Sequence, residues 1–291
     1  MLPWPPGHQR KGIATFVGAL IEKQTGNQAE WARGQGNQEA AVKRRSRLLH
    51  KARLGPHRLA DSVLAQALAQ LPAGGPVRRA LAWTIEAPPH LLVVSLGTGG
   101  RAVPIYWRAS AAGGLKGRMR RSETAVSRRV ITRRQRKLGQ RRLIVPVARG
   151  VADVALVDVL TALGVEFILR VKGGTNVCWH GRWRKLHSVP FGGNARRRNL
   201  GRVAYWESSP HRLWVTLSRV RNAKGKWEIW DLSSPGPRRA KATAADYARR
   251  FSCEEGVRDV KWELGFAQAR RRTSTRGRVC SPYLRGPYWP S

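Results

Sequence analysis

The lopsided charge of this chain constrains its fold more than any other feature. Lys and Arg number 55 against 17 Asp and Glu in 291 residues, a formal net charge of +38. Self-repulsion on that scale opposes a compact state unless a counter-charge is bound, so a merely soluble basic surface is a poor account of it. The 42% hydrophobic content and twelve Trp are too apolar for a disordered basic tail. The length is ample for one large domain or two smaller ones. An anionic polymer is the leading partner, with nucleic acid ahead of a membrane surface.

Other features narrow the field by exclusion. Cys178, Cys253 and Cys280 are far apart, odd in number and not in CxxC spacing. A disulfide framework or structural zinc site is not expected, and a reducing cytoplasm is the default. Met1-Leu2-Pro3-Trp4-Pro5-Pro6 lacks the apolar core of a signal peptide. No run of about 20 apolar residues offers a membrane span.

Composition and periodicity divide the chain into five regions. Residues 1–75 read as a helical DNA-binding region: the basic run Lys43-Arg44-Arg45-Ser46-Arg47 precedes a helix with Leu59, Val63, Leu64, Ala67 and Leu68 on one face. Leu71-Pro72-Ala73-Gly74-Gly75-Pro76 then breaks the chain. Residues 76–171 begin with three apolar runs of strand length, at 80–85, 91–96 and 103–107, which predict an antiparallel meander. Residues 108–142 carry thirteen Lys or Arg against Glu123, with Ser122 placed to cap a helix. A strand over 143–147, a helix over about 151–163 and a strand over 165–171 predict a parallel βαβ crossover. Residues 172–235 alternate in the manner of strands and form a β-rich insertion. Residues 236–269 hold a helix running from about Thr243 past Trp262. The tail, 270–291, has six Arg, three Pro and no acid, shows no periodicity and reads as disordered and out of frame.

The densest information lies at Tyr247, Arg250, Glu254 and Lys261, at offsets of 0, 3, 7 and 14. At about 100° per residue, one continuous helix would bring all four within roughly 60° of arc. Such a stripe presents a carboxylate between two cations and a phenol. The cations can grip phosphates, and the carboxylate can hold a divalent metal beside a scissile bond. A solvated charged helix face fits the same spacing.

Tyr-x2-Arg-x3-Glu-x6-Lys resembles the signature of the insertion-sequence-four family of DDE transposases. Leu81-Ala82-Trp83-Thr84, Gly99 to Trp107, Ala148-Arg149-Gly150 and Leu169-Arg170-Val171-Lys172-Gly173 look like that family's successive blocks, in order, over about two thirds of the chain. The resemblance implies an α/β fold: a ribonuclease-H-like mixed-sheet core, interrupted by the β-rich insertion before a final acidic helix and preceded by the helical region. It implies two Mg²⁺ ions held by three carboxylates, cutting at transposon ends and joining the freed 3′-hydroxyl to target DNA. By the same resemblance Glu254 is the third acid and a metal ligand, and Tyr247, Arg250 and Lys261 contact the transposon-end backbone. The implied partners are double-stranded inverted repeats and target DNA, with a homodimer in the synaptic complex, in the bacterial cytoplasm at the nucleoid.

The chain departs from that pattern where chemistry demands most. Ala82 and Ala148 stand where the first and second acids belong. A methyl group cannot coordinate Mg²⁺, and one carboxylate cannot hold two metals about 4 Å apart. Glu86 lies about 13 Å along an extended strand from position 82, and Asp153 and Asp158 read as helix-capping or solvent-facing residues. Pro146 would interrupt a strand expected to be central. These departures predict an impaired copy that still binds DNA. A non-catalytic nucleic-acid-binding protein is the alternative. Gly97-Thr98-Gly99-Gly100 reads as a turn, and the Trp residues of the insertion read as sheet core or, for one or two, as base-stacking groups.

Overall fold

The computed structural model describes residues 7–24, 28–33, 36–50, 56–84, 90–98, 101–110, 128, 131–132, 138, 140–149, 154–193, 195–208, 211–222, 224–262, 272–273 and 279–280. Four helices open the chain: α1 (Gly7–Lys23), α2 (Gln28–Ala32), α3 (Gln38–His50) and α4 (Pro56–Ala69). Strands β1 (Val77–Thr84), β2 (His90–Thr98) and β3 (Arg101–Ser110) follow. Then come β4 (Leu143–Val147), α5 (Val154–Ala162) and β5 (Glu166–Arg170). Five further strands are β6 (Asn176–Trp179), β7 (Arg182–Lys185), β8 (Arg197–Tyr205), β9 (His211–Arg221) and β10 (Trp227–Ser234). Helices α6 (Ala240–Ala248) and α7 (Phe251–Trp262) precede a short pair, β11 (Arg272–Thr273) and β12 (Val279–Cys280). The chain is mixed α/β and divides into two compact units, one of residues 1–70, 83–115 and 253–291, the other of 71–82 and 116–252.

In the first unit, Trp31 and Ala32 of α2 are buried with Leu20 of α1 and Ala41 of α3, and Phe16 meets Trp31 edge-to-face at 4.9 Å. Asn37 accepts the Ala40 amide and so caps α3. Helix α4 buries Leu64 and Ala67, two of the apolar positions its spacing predicts. Strands β2 and β3, two of the three strands of the expected meander, pair antiparallel with a bulge between Val94 and Ser95. From α7, the Cys253 thiol donates to the Ser95 hydroxyl at 3.2 Å. A Cβ added at Gly256 would lie 3.0 Å from the Ala102 carbonyl oxygen, so the close approach of α7 to β3 depends on glycine there.

The second unit is a mixed sheet with the order β1-β4-β5-β10-β9-β8-β6-β7. Strands β1, β4 and β5 run parallel, and the other pairings are antiparallel. All five residues of β4 are buried, the continuous apolar pattern of a parallel strand covered on both faces. The predicted crossover is present as β4-α5-β5, with Leu156, Val157, Val159 and Leu160 of α5 buried. Strand β4 runs through Pro146, which pairs in register with Ile168, so the proline does not interrupt it. The β-rich segment continues the same sheet, because β10 pairs with β5 through Leu232 and Arg170. The β6–β7 turn uses His180 and Gly181 at φ 51° and 73°, the two left-handed residues a tight hairpin requires.

Four arginines are knitted by two carboxylates in this unit. Asp246 of α6 accepts from Arg78 at 2.7 Å, from Arg249 at 3.4 Å and from Arg238. Glu166 at the start of β5 takes Arg238 at 2.6 Å and a bidentate fork from Arg142, at 2.7 and 2.9 Å. That fork holds the Glu166 carboxyl below its ordinary value. The helix predicted near Ser122 lies largely outside the described residues, as does most of the tail 270–291.

Asp246 is 9% exposed, so removing its charge strands the partly buried guanidinium groups of Arg78 and Arg238. Asp246→Ala is expected to lower unfolding free energy by about 3 kcal/mol in urea titrations.

Candidate functional site

The four signature residues do not form one helical stripe. The helix expected over 243–262 is two, α6 and α7, separated at Arg249 and Arg250. The Arg249 amide still bonds the Ala245 carbonyl at 3.4 Å, but the Arg250 amide bonds Tyr247 at 3.0 Å, three residues back. That tightened turn ends the regular 100° progression. Tyr247 and Phe251, four residues apart on either side of that turn, share one core, their rings 5.1 and 5.7 Å from the Trp230 ring.

Each signature residue therefore has its own setting. Tyr247 is fully buried, in a cluster with Ile144, Ile168, Trp230, Leu232 and Ala244. Arg250 is buried too, its guanidinium 5.4 Å from the Tyr247 ring and 4.6 Å from Phe251. Glu254 is exposed in the first turn of α7, where the helix dipole favours a carboxylate. The backbone of Lys261 lies in α7, and its side chain is outside the described set. Tyr247 and Arg250 belong to one compact unit, Glu254 and Lys261 to the other.

Parallel pairing sets Val77 opposite Leu143 and Arg78 opposite Ile144. Position 82, within β1, and position 148, just past the carboxyl end of β4, each lie five residues beyond the Val77–Leu143 pair in sequence. In parallel sheets, ligands gather at the carboxyl ends of strands. The side chains available there do not fit a two-metal centre, because both positions are alanine. Among the described residues, no group of three or more His, Cys, Asp and Glu could hold a metal ion.

One titratable centre escaped sequence reading. Asp231 on β10 is 9% exposed beneath the segment after β5. A Cβ at Gly173 would lie 3.2 Å from the His187 Cβ and 3.4 Å from Asp231 Oδ2, so any side chain there would press the His187 Cβ back by a few tenths of an ångström. The His187 amide donates to the Gly173 carbonyl at 2.8 Å and fixes that closure. Burial pushes the Asp231 carboxyl up to about 6, against the pull of Arg170, His187 and Arg149. Burial also raises the neighbouring Tyr205 phenol, whose hydroxyl bonds Thr175. The strand alternation of 226–230 reached this region, but the closure from 173 to 187 is a tertiary contact with no local signal.

No protein-family model matches the chain, and no curated protein matches it.

Tyr247→Ala is expected to cost about 3–5 kcal/mol of stability, whereas Glu254→Ala costs under about 1 kcal/mol, by denaturant unfolding. A second prediction concerns pH. Folded Asp231 keeps its proton up to about pH 6, while an unfolded aspartate ionises near 4. The folded state binds more protons between those values, so this site's contribution is full below about pH 4 and is lost as pH rises through 6. Asp231→Asn should shrink the drop in melting temperature between about pH 5 and about pH 7.5.

Proposed function

We propose that this chain is a DNA-binding protein of transposase type, similar to the insertion-sequence-four family, whose cleavage centre has been lost. The observation that carries the reading is an ordered family signature together with alanine at both missing-acid positions, each five residues beyond the paired Val77 and Leu143. The antiparallel β2–β3 hairpin, the parallel β1–β4–β5 set and the α5 crossover agree with a ribonuclease-H-like core. The charge of +38 supports duplex DNA, bacterial inverted repeats and target sites, as the bound polymer. A cytoplasmic, nucleoid-bound location and a synaptic homodimer follow from the same reading. Among the described residues no helix is long and apolar enough to cross a membrane.

In this reading the residues bind and position DNA, and no bond-breaking step passes through Mg²⁺. Arg250, stacked against Tyr247 and Phe251, serves as the support of the α6–α7 turn. Glu254 keeps an exposed position on α7, and the backbone of Lys261 follows it along the same helix. A second reading, sequence-independent nucleic-acid binding, is favoured by the excess of arginine over carboxylate.

The unaltered chain is expected to give no Mg²⁺- or Mn²⁺-dependent nick on DNA carrying the inverted repeats that bracket its coding region. Ala82→Asp together with Ala148→Asp is required before any nick appears. Duplex binding should favour those repeats over scrambled sequence at raised salt, where non-specific affinity falls steeply. A nick by the unaltered chain overturns the loss of the centre, and equal affinity for scrambled DNA overturns the transposase reading in favour of the second.

A further inference from the structure

Arginines on one face of the β-rich sheet are paired with rings instead of acids. Arg184 and Arg198 lie 5.4 and 5.3 Å from the Trp179 ring. Arg219 lies 4.4 Å from Phe191, and Arg221 lies 5.0 Å from Trp227. Register puts the four on a common face: Arg184 pairs with Val177, Arg198 with Leu217, and Arg221 with Trp227. Leu217, Arg219 and Arg221 alternate along β9 and share that face. The four thus cross β7, β8 and β9 and reach the edge of β10.

None of the four makes an ion pair among the described residues. Arg198 donates to the Pro190 carbonyl, and the Arg184 Nε has no hydrogen-bond partner. The acid that shares this face on β10, Asp231, is buried beneath Gly173 and His187. Glu228 lies on the opposite parity, against Arg170 and Trp230.

We infer that this arginine row is a track for the phosphate backbone of duplex DNA. A guanidinium laid on a ring keeps its charge and its in-plane donors while losing rotational freedom, so the entropic cost of gripping a phosphate is already met. The rings are engaged by guanidinium groups, which assigns the face to phosphates ahead of stacked bases. Arg202 and Arg212 are exposed on the other face of the same sheet, since they pair with Trp214 and Ala204. They provide a charge-matched control. The inference rests on the DNA-binding part of the reading above and not on its transposase origin.

The test measures binding of the full chain to a random-sequence duplex, which keeps it separate from any preference for inverted repeats. Arg219→Gln with Arg221→Gln should weaken binding about tenfold and reduce the slope of log affinity against log salt by about 2. Arg202→Gln with Arg212→Gln should leave the slope unchanged. An equal effect of the two pairs, or none from the first, overturns the track. A loss seen only with RNA of the same length overturns its assignment to DNA. Phenylglyoxal labelling of the unaltered chain needs no variant to fold: duplex should protect Arg184, Arg198, Arg219 and Arg221, and equal labelling with and without duplex overturns the inference.

Discussion

Asp246 holds the second unit together against its own charge. Its carboxylate joins Arg78 at the start of β1, Arg238 in the link from β10, and Arg249 at the end of α6. Glu166 extends the network to Arg142 before β4, sharing Arg238. Three parallel strands and one helix are thereby fixed at the amino-terminal ends of those strands. In a chain of +38, four guanidinium groups this near would repel without the two acids between them. Acids are scarce here, so where they stand says much about what must be held.

The remaining cations are ordered differently. On the face of the β-rich sheet that carries Trp179, Phe191 and Trp227, arginines are placed by aromatic rings. An acid neutralises a guanidinium as it orders it, whereas a ring orders it and leaves the charge outstanding. The molecule uses the first device where strands must converge and the second on a sheet face where Arg184, Arg198 and Arg219 are half-buried and Arg221 is exposed.

Local pattern made much of this fold legible. The apolar run of β4, the spacing of α5, the alternation of β9 and β10 and the break after Gln70 could all be read in advance, because periodicity reports burial. The aromatic core around Trp230 could not. Tyr247 and Glu254 read as one helix, and the tightening at Arg250 divides that helix between them. Pro146 shows the same limit: a proline forbids one amide donor, yet β4 keeps its place through pairing with Ile168 and full burial. The placement of Asp231 depends on Gly173 and His187 meeting over it, which no spacing encodes.

The absence of charge at positions 82 and 148 bears on how the chain folds. Carboxylates brought close together repel one another until a cation comes between them. With alanine at both positions neither can contribute to such a repulsion, and β1 meets β4 through Val77–Leu143 and Arg78–Ile144, pairs that contain no acid.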